Sequence, residues 1–207
     1  MKEQLIGLIA RHGETGLNAK NCFRSWMDVP LNDIGIQQAH MAKDFAAKYP
    51  IKTVICSPLL RAFVTADIIA APHKVHVNQH RGLFPWRLGI FSGLPKDENQ
   101  DALRLFVKNP KVKMPEGECL EAFEDRQYAF WDAALKLARV QGFTLFVAHT
   151  SNLVALQNFT QDDGHQAEPE DADTVKPGGM AAIYWNGKNH RVEPVFGQAE
   201  AAKFGGS

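Results

Sequence analysis

Short apolar segments alternate with amphipathic helical segments along most of the chain, and this alternation strongly constrains its fold. Segments 5–10 and 143–148 are largely apolar runs, typical of strands buried on both faces. Apolar residues recur at helical spacing elsewhere, most clearly in 36–49 and 118–141. Strands that alternate with helices predict a mostly parallel sheet with helices on its faces. We therefore expect an α/β fold with three layers, α/β/α.

Shorter segments complete this pattern. Further strands are predicted over 53–56, 75–77, 180–185 and 191–195. Ser57-Pro58 is a typical pair for the cap and first turn of a helix, so a helix should begin there and end before Pro72. The pattern is weakest over 80–113, where only a helix over 100–107 is expected, and another helix should cover 152–159.

Length and composition indicate one soluble domain. The 207 residues suffice for a single core, which we place in 1–198, followed by a small, glycine-rich and flexible tail over 199–207. The 23 basic and 23 acidic residues give no net charge, which argues against a nucleic-acid or membrane partner held by bulk charge. Three cysteines without CxxC spacing and a short apolar N-terminal run lead us to expect a cytoplasmic protein.

Two histidines follow apolar strands, where ligands bind in open α/β sheets. His12 comes directly after the first strand, and His149 ends the strand over 143–148. His12 is flanked by Arg11, whose side chain can bind phosphate oxygens, and by a glycine that allows close approach to a ligand. Arg61 lies in the first turn of the helix that follows the next strand, toward the same edge. The imidazole of His12 is a possible nucleophile toward phosphorus.

The segment Arg-His-Gly-Glu-Thr at 11–15, followed by Asn18, resembles the histidine phosphatase superfamily, specifically its phosphoglycerate-mutase-like branch. The resemblance continues through 23–39, through Ser-Pro-Leu-Leu-Arg-Ala at 57–62, and through Phe-Val-Ala-His at 146–149. It implies a phosphoglycerate-mutase-like fold and a small phosphorylated substrate, with no metal and no cofactor.

The resemblance also implies roles for individual residues. His12 would accept the phosphoryl group as phosphohistidine, and it must be neutral to attack. Arg11, Arg61 and His149, together with Asn18, would surround the phosphoryl oxygens and stabilise the charge of the transition state.

One segment departs from the family's pattern. The family usually places a general-acid glutamate in a segment of the form L-x-E-x-x-x-G-x-x-x-G, and the aligned segment here is 83–93, with Pro85 at the acid position. Arg87 stands where a second acidic residue is often found, and we treat it as a candidate substrate-binding residue. Proline cannot donate a proton, although protonation of a leaving alkoxide is worth about 10²- to 10⁴-fold in rate.

Three explanations of this departure are open. Another residue can supply the proton, and the candidates are His80, Asp97, Glu98, Glu116 and Glu118. The substrate can instead have a leaving group that needs no acid, or the chain can be an impaired enzyme. The sequence therefore predicts a phosphomonoester hydrolase, with a phosphoglycerate-mutase-like phosphotransferase and an impaired phosphate-binding or interaction module as alternatives. The acidic stretch 162–173 is expected to be a solvated surface loop.

Overall fold

The computed structural model describes residues 2–161 and 175–197. Its strands are β1 (Gln4–Arg11), β2 (Thr53–Cys56), β3 (Val77–Gln79), β4 (Thr144–Ala148), β5 (Met180–Trp185) and β6 (His190–Phe196). They form one sheet in the order β3-β2-β4-β1-β5-β6. The four strands from β3 to β1 are parallel, whereas β5 pairs antiparallel with β1 and β6 pairs antiparallel with β5. The expectation of a mostly parallel sheet is confirmed.

Helices cover both faces of this sheet. They are α1 (Gly16–Ala19), α2 (Asp33–Ala46), α3 (Leu60–Ala70), α4 (Lys96–Lys108), α5 (Leu120–Gln141) and α6 (Thr150–Thr160). Leu8 and Ala10 of β1 pack with residues of α2 and α3, whereas Ile9 packs with residues of α5 and α6. Successive side chains of a strand point to opposite faces, so β1 contributes to two separate cores. The three-layer α/β/α architecture is confirmed.

A third apolar cluster lies beside the sheet, and about half of its residues come from 80–113, where the sequence pattern was weakest. Phe23, Trp86, Leu88 and Phe91 are buried there against residues of α4 and α5. This cluster anchors the two segments that precede α2 and α4, and both segments contribute to the cavity described below.

The helix predicted to begin at Ser57 begins at Leu60 instead, so the prediction of Ser57 as its cap was wrong. The Leu60 N–H donates to the Asp28 carboxylate at 2.7 Å, so an acidic side chain from another segment satisfies this end of α3. The Ser57 hydroxyl accepts a long hydrogen bond from the Leu59 N–H at 3.4 Å and forms a shorter one of 2.8 Å with His149. Other boundaries differ as well. The strand predicted over 75–77 lies at Val77–Gln79, and the helices predicted over 100–107 and 152–159 extend to Lys96–Lys108 and Thr150–Thr160.

Among the helices within the described ranges, none combines the length and the apolar character needed to cross a bilayer. The tail predicted over 199–207 and the acidic stretch 162–173 lie outside the described residues.

Candidate active site

The carboxyl ends of two neighbouring parallel strands bring the two predicted histidines together. β1 pairs with β4 so that Arg11 lies opposite Ala148, and the His12 N–H donates to the Ala148 carbonyl at 3.0 Å. The imidazole centroids of His12 and His149 are 5.1 Å apart. Both rings are almost completely buried, and both line one cavity at this edge of the sheet.

A single hydrogen bond fixes which nitrogen of His12 can act as a nucleophile. Its Nδ1 lies 2.6 Å from the Gly13 carbonyl oxygen. A carbonyl oxygen only accepts hydrogen bonds, so Nδ1 carries the proton and Nε2 of the neutral ring carries the lone pair. Burial lowers the pKa of His12 well below its usual value, and the positive charges of Arg61, Arg24 and Arg11 lower it further. His12 is therefore neutral, as a nucleophile must be.

The loop that carries His12 is held tightly between two helices. The Gly13 N–H donates to the hydroxyl of Thr65 in α3 at 3.1 Å. A Cβ atom at Gly13 would lie 2.3 Å from the Gly35 carbonyl oxygen in α2, which no side chain can tolerate. Glycine is required at this position because of the close approach of two backbone segments.

His149 is positioned by a buried serine. Its Nε2 lies 2.8 Å from the Ser57 hydroxyl, and the His149 N–H is 3.2 Å from the side-chain oxygen of Asn152. Burial lowers the pKa of His149 well below its usual value, with further contributions from the charge of Arg61 and from His12. The Nδ1 atom of His149 is buried and has no hydrogen-bond partner among the described residues. A phosphoryl oxygen in the cavity could interact with this ring.

Arg61 is a buried cation whose position depends on a neighbouring loop. Its guanidinium donates to the carbonyl oxygens of Met27 at 2.7 Å and Ser25 at 2.9 Å. Burial, together with the charge of Arg24, lowers the pKa of Arg61 to about 9, while Asp28 acts in the opposite direction. Arg61 is therefore still positively charged at neutral pH, directly beside the two histidines, where an anionic phosphoryl group would compensate it.

The N-terminus of α6 contributes to the same cavity. Thr150 and Ser151, the first two residues of this helix, are among the lining residues. Helix N-termini favour anions through their backbone N–H groups and their positive dipole end. This end of α6 therefore adds to the attraction of the arginines for a phosphoryl group.

Three predicted site residues lie outside the set that lines the cavity. Arg11 donates to the Val175 carbonyl oxygen at 3.0 Å, and its charge contributes to the lowered pKa values of both histidines. The side-chain oxygen of Asn18 accepts hydrogen bonds from the backbone and hydroxyl of Thr15 at the start of α1. Arg87 is exposed, and its guanidinium lies 5.2 Å from the ring centroid of Trp26.

Two cations that sequence reasoning missed do line the cavity, namely Arg24 and Lys96. Arg24 belongs to the segment 23–39 that carries the family resemblance, and its charge affects the pKa of both histidines and of Arg61. The signal for Arg24 was its position within that segment. Lys96 lies in the weakly patterned part of the chain, and nothing in its sequence context distinguished it from a surface lysine.

Pro85 lines the cavity, whereas none of the five candidate proton donors is among the lining residues described. Glu118 is held elsewhere by an ion pair with Arg126, with an N–O distance of 2.6 Å. The Asp97 carboxylate accepts a hydrogen bond from Asn21, and the His80 ring packs against Phe130. The other two candidates, Glu98 and Glu116, are exposed.

Within residues 2–161 and 175–197, no group of three or more histidine, cysteine, aspartate and glutamate side chains is arranged to hold a metal ion.

The fold and the cavity together define an α/β protein with two buried histidines and a cluster of arginines at the carboxyl edge of its sheet. A family model for the histidine phosphatase superfamily (branch 1) matches residues 8–178. The chain therefore belongs to the histidine phosphatase superfamily.

Individual proteins agree with this assignment. A 2,3-bisphosphoglycerate-dependent phosphoglycerate mutase of Chlamydia pneumoniae is 24% identical over 221 aligned positions, covering 90% of this chain and 95% of the mutase. The alpha-ribazole phosphatase of Shigella flexneri superposes with a TM-score of 0.78 at 24% identity, covering 96% of this chain and 98% of that structure. A mycobacterial glucosyl-3-phosphoglycerate phosphatase superposes with a TM-score of 0.76 at 18% identity, covering 96% of this chain and 100% of that structure. These two structural similarities establish the fold.

Proposed function

We propose that this protein is a phosphomonoester hydrolase that acts on a small phosphorylated metabolite through a phosphohistidine at His12. The observation that carries the proposal is the protonation state of His12. Its Nδ1 is hydrogen-bonded to the Gly13 carbonyl, so the unprotonated Nε2 of the neutral ring is available in a cationic cavity. A neutral imidazole in such surroundings attacks phosphorus, and the surrounding cations bind the anionic group that it attacks.

The reaction would proceed in two displacements. In the first, Nε2 of His12 forms a bond to phosphorus as the bond from phosphorus to the leaving oxygen breaks. Arg61 stabilises the charge on the phosphoryl oxygens, and His149 is positioned by Ser57 to contact the same group. In the second displacement, water attacks phosphorus, the P–N bond breaks and the imidazole is regenerated as phosphate leaves.

Trapping of the intermediate tests this proposal. The protein is mixed with ³²P-labelled 4-nitrophenyl phosphate and denatured in alkali, because phosphohistidine is stable in base and labile in acid. We expect an acid-labile label that is absent from His12→Ala and present in His40→Ala, which removes an exposed histidine of α2. If the wild-type protein shows neither label nor turnover, the hydrolase proposal is wrong and an impaired phosphate-binding module takes its place.

Phosphotransfer between substrates is the second candidate function. The specific observation in its favour is the relative that covers 90% of this chain and is a phosphoglycerate mutase. The two functions differ in what receives the phosphoryl group. The protein is incubated with 3-phosphoglycerate and 2,3-bisphosphoglycerate, and we expect phosphate to be released faster than 2-phosphoglycerate is formed. The reverse order would favour the mutase.

A further inference from the structure

We propose that the preferred leaving group of this site is itself a phosphate, so that the protein cleaves the terminal phosphoanhydride bond of a diphosphate faster than it cleaves an alkyl phosphomonoester. This inference rests on the proposed function, since it requires the same phosphohistidine chemistry at His12. It assigns a substrate class, and it gives Arg24 a role on the leaving-group side of the cavity.

Arg24 and Pro85 lie on one wall of the cavity, because the residues that follow Arg24 are hydrogen-bonded to segment 85–88. The hydroxyl of Ser25 accepts a hydrogen bond from the Leu88 N–H at 2.8 Å and lies 3.4 Å from the Trp86 carbonyl oxygen. The indole N–H of Trp26 donates to the Pro85 carbonyl oxygen at 2.8 Å. These contacts join segment 24–26 to segment 85–88.

Hydrogen bonds from a side chain of α5 also hold the segment around Pro85 in place. The Arg126 guanidinium donates to the carbonyl oxygens of Phe84 at 3.0 Å and Pro85 at 2.8 Å while it is paired with Glu118. Arg24 is supported locally as well, since its Nη1 donates to the Cys22 carbonyl oxygen at 3.1 Å. The wall is therefore an ordered part of the site in which the place of a proton donor is taken by a proline.

The leaving group points toward this wall. The edge of the sheet supplies His12 and His149, whereas Arg24, Pro85 and Lys96 come from the segments that cover it. An in-line displacement places the leaving oxygen on the side of phosphorus away from the attacking nitrogen. The leaving oxygen therefore departs away from His12, toward the wall that carries Arg24. Lys96 lies beside this wall, since its Nζ is 5.5 Å from the ring centroid of the neighbouring Phe23.

The positive charge of the residues that line the cavity favours a phosphate leaving group over an alkoxide. Arg24, Arg61 and Lys96 line the cavity, and no aspartate or glutamate is among its lining residues in the described ranges. An alkoxide leaving group is a strong base, as hydroxide is, so it needs a proton before it departs. A leaving phosphate has its second pKa at about 6, so it departs as a stable anion. Arg24 and Lys96, the two cations other than Arg61, attract that anion.

The chemical balance of the proposed reaction needs no acid. The neutral imidazole of His12 forms the P–N bond, the bridging P–O bond breaks, and its electron pair leaves on the shorter phosphate compound. Water then attacks the phosphohistidine, the P–N bond breaks, and both protons of the water end on the released dihydrogen phosphate. One of them is lost to solvent at neutral pH.

A matched pair of substrates tests the inference on the full-length protein. Removal of the terminal phosphoryl group of ADP releases AMP, whereas removal of the phosphoryl group of AMP releases an alcohol from the same nucleoside. We expect kcat/KM for ADP to exceed that for AMP by about 100-fold or more, the contribution of a general acid that only AMP requires. Equal values would overturn the inference, because they would mean that the protein supplies a proton to the leaving alcohol.

Charge variants test the role of the wall. Arg24→Gln should lower kcat/KM for ADP by about 10- to 100-fold, and Lys96→Gln should act in the same direction. The loss should be much smaller with 4-nitrophenyl phosphate, whose leaving group carries no phosphate. Arg24→Lys should restore part of the activity toward ADP. Lys136→Gln, which removes an exposed charge from α5, is the matched control and should change neither rate. Equal losses on both substrates in Arg24→Gln would overturn the assignment to the leaving-group side.

The phosphohistidine label separates failure of this inference from failure of the proposed function. If His12 is labelled but ADP and AMP react equally well, the hydrolase is retained and the leaving-group preference is wrong. If no label forms from ADP, AMP or 4-nitrophenyl phosphate, both are wrong. Labelling of Arg24→Gln by 4-nitrophenyl phosphate also shows that this variant folds.

Discussion

Replacement of Ser57 by alanine is expected to weaken both the fold and the candidate active site, because its hydroxyl is a hydrogen-bond partner of the buried His149 imidazole. Ser57 is fully buried, and its hydroxyl lies 2.8 Å from Nε2 of His149. The variant would leave that nitrogen without its partner, and Nδ1 of the same ring already has none among the described residues. An unsatisfied buried polar group costs about 1–3 kcal/mol. We therefore expect the free energy of unfolding to fall by about 2 kcal/mol.

Denaturation with urea measures this loss, and thermal denaturation should show Tm falling by about 4–8 °C for a protein of this size. Turnover of 4-nitrophenyl phosphate should also fall, since His149 loses the contact that orients it. We expect kcat/KM to decrease by about 10- to 100-fold, as for partners that position a functional histidine.

Ser92→Ala is a suitable control, because it removes a hydroxyl from a partly buried serine that is not among the residues lining the cavity. Ser92→Ala should change neither the free energy of unfolding nor kcat/KM substantially. If Ser57→Ala is as stable and as active as the wild-type protein, the Ser57–His149 hydrogen bond does not position the imidazole, and the reasoning is refuted.

Two further predictions concern pH and close packing. The lowered pKa values of His12 and His149 mean that the unfolded chain binds more protons than the folded one below pH 6.5, so stability should fall as the pH falls. Each histidine should lower the free energy of unfolding by about 2 kcal/mol between pH 7 and pH 5. In urea titrations, the free energy of unfolding of His149→Gln should therefore depend less steeply on pH than that of the wild-type protein. An identical pH dependence in the variant would contradict the burial of a neutral ring. Gly35→Ala should cost about 1–3 kcal/mol, because its Cβ would lie 2.1 Å from the Glu14 carbonyl oxygen, whereas Gly16→Ala meets nothing within 4 Å and should be nearly neutral in the same assay.

Much of the fold could be predicted from the sequence, because it follows from local patterns. The buried strand over 143–148 was recognisable from its apolar run, and the structure contains β4 at Thr144–Ala148. The long helix predicted over 118–141 is observed as Leu120–Gln141. Errors arose where a contact from another segment decided the boundary, as at Leu60, whose N–H is bonded to Asp28.

The candidate site was only partly predictable. His12, His149 and Arg61 line the cavity as expected from their positions after strands and in the first turn of a helix. Arg24 and Lys96 were missed, because whether a cation lines a cavity or lies on the surface depends on how its loop folds.

The sequence by itself determined which side chains follow the first buried strand, namely Arg11 and His12, because these residues are local to one motif. It also determined that Pro85 cannot act as an acid. Only the tertiary structure decided that Arg24 and Lys96 line the cavity together with Pro85 and that Glu118 is held away by Arg126. The physical reason is that these arrangements depend on hydrogen bonds and packing between segments dozens of residues apart, such as those of Ser25 with Leu88 and of Ser57 with His149.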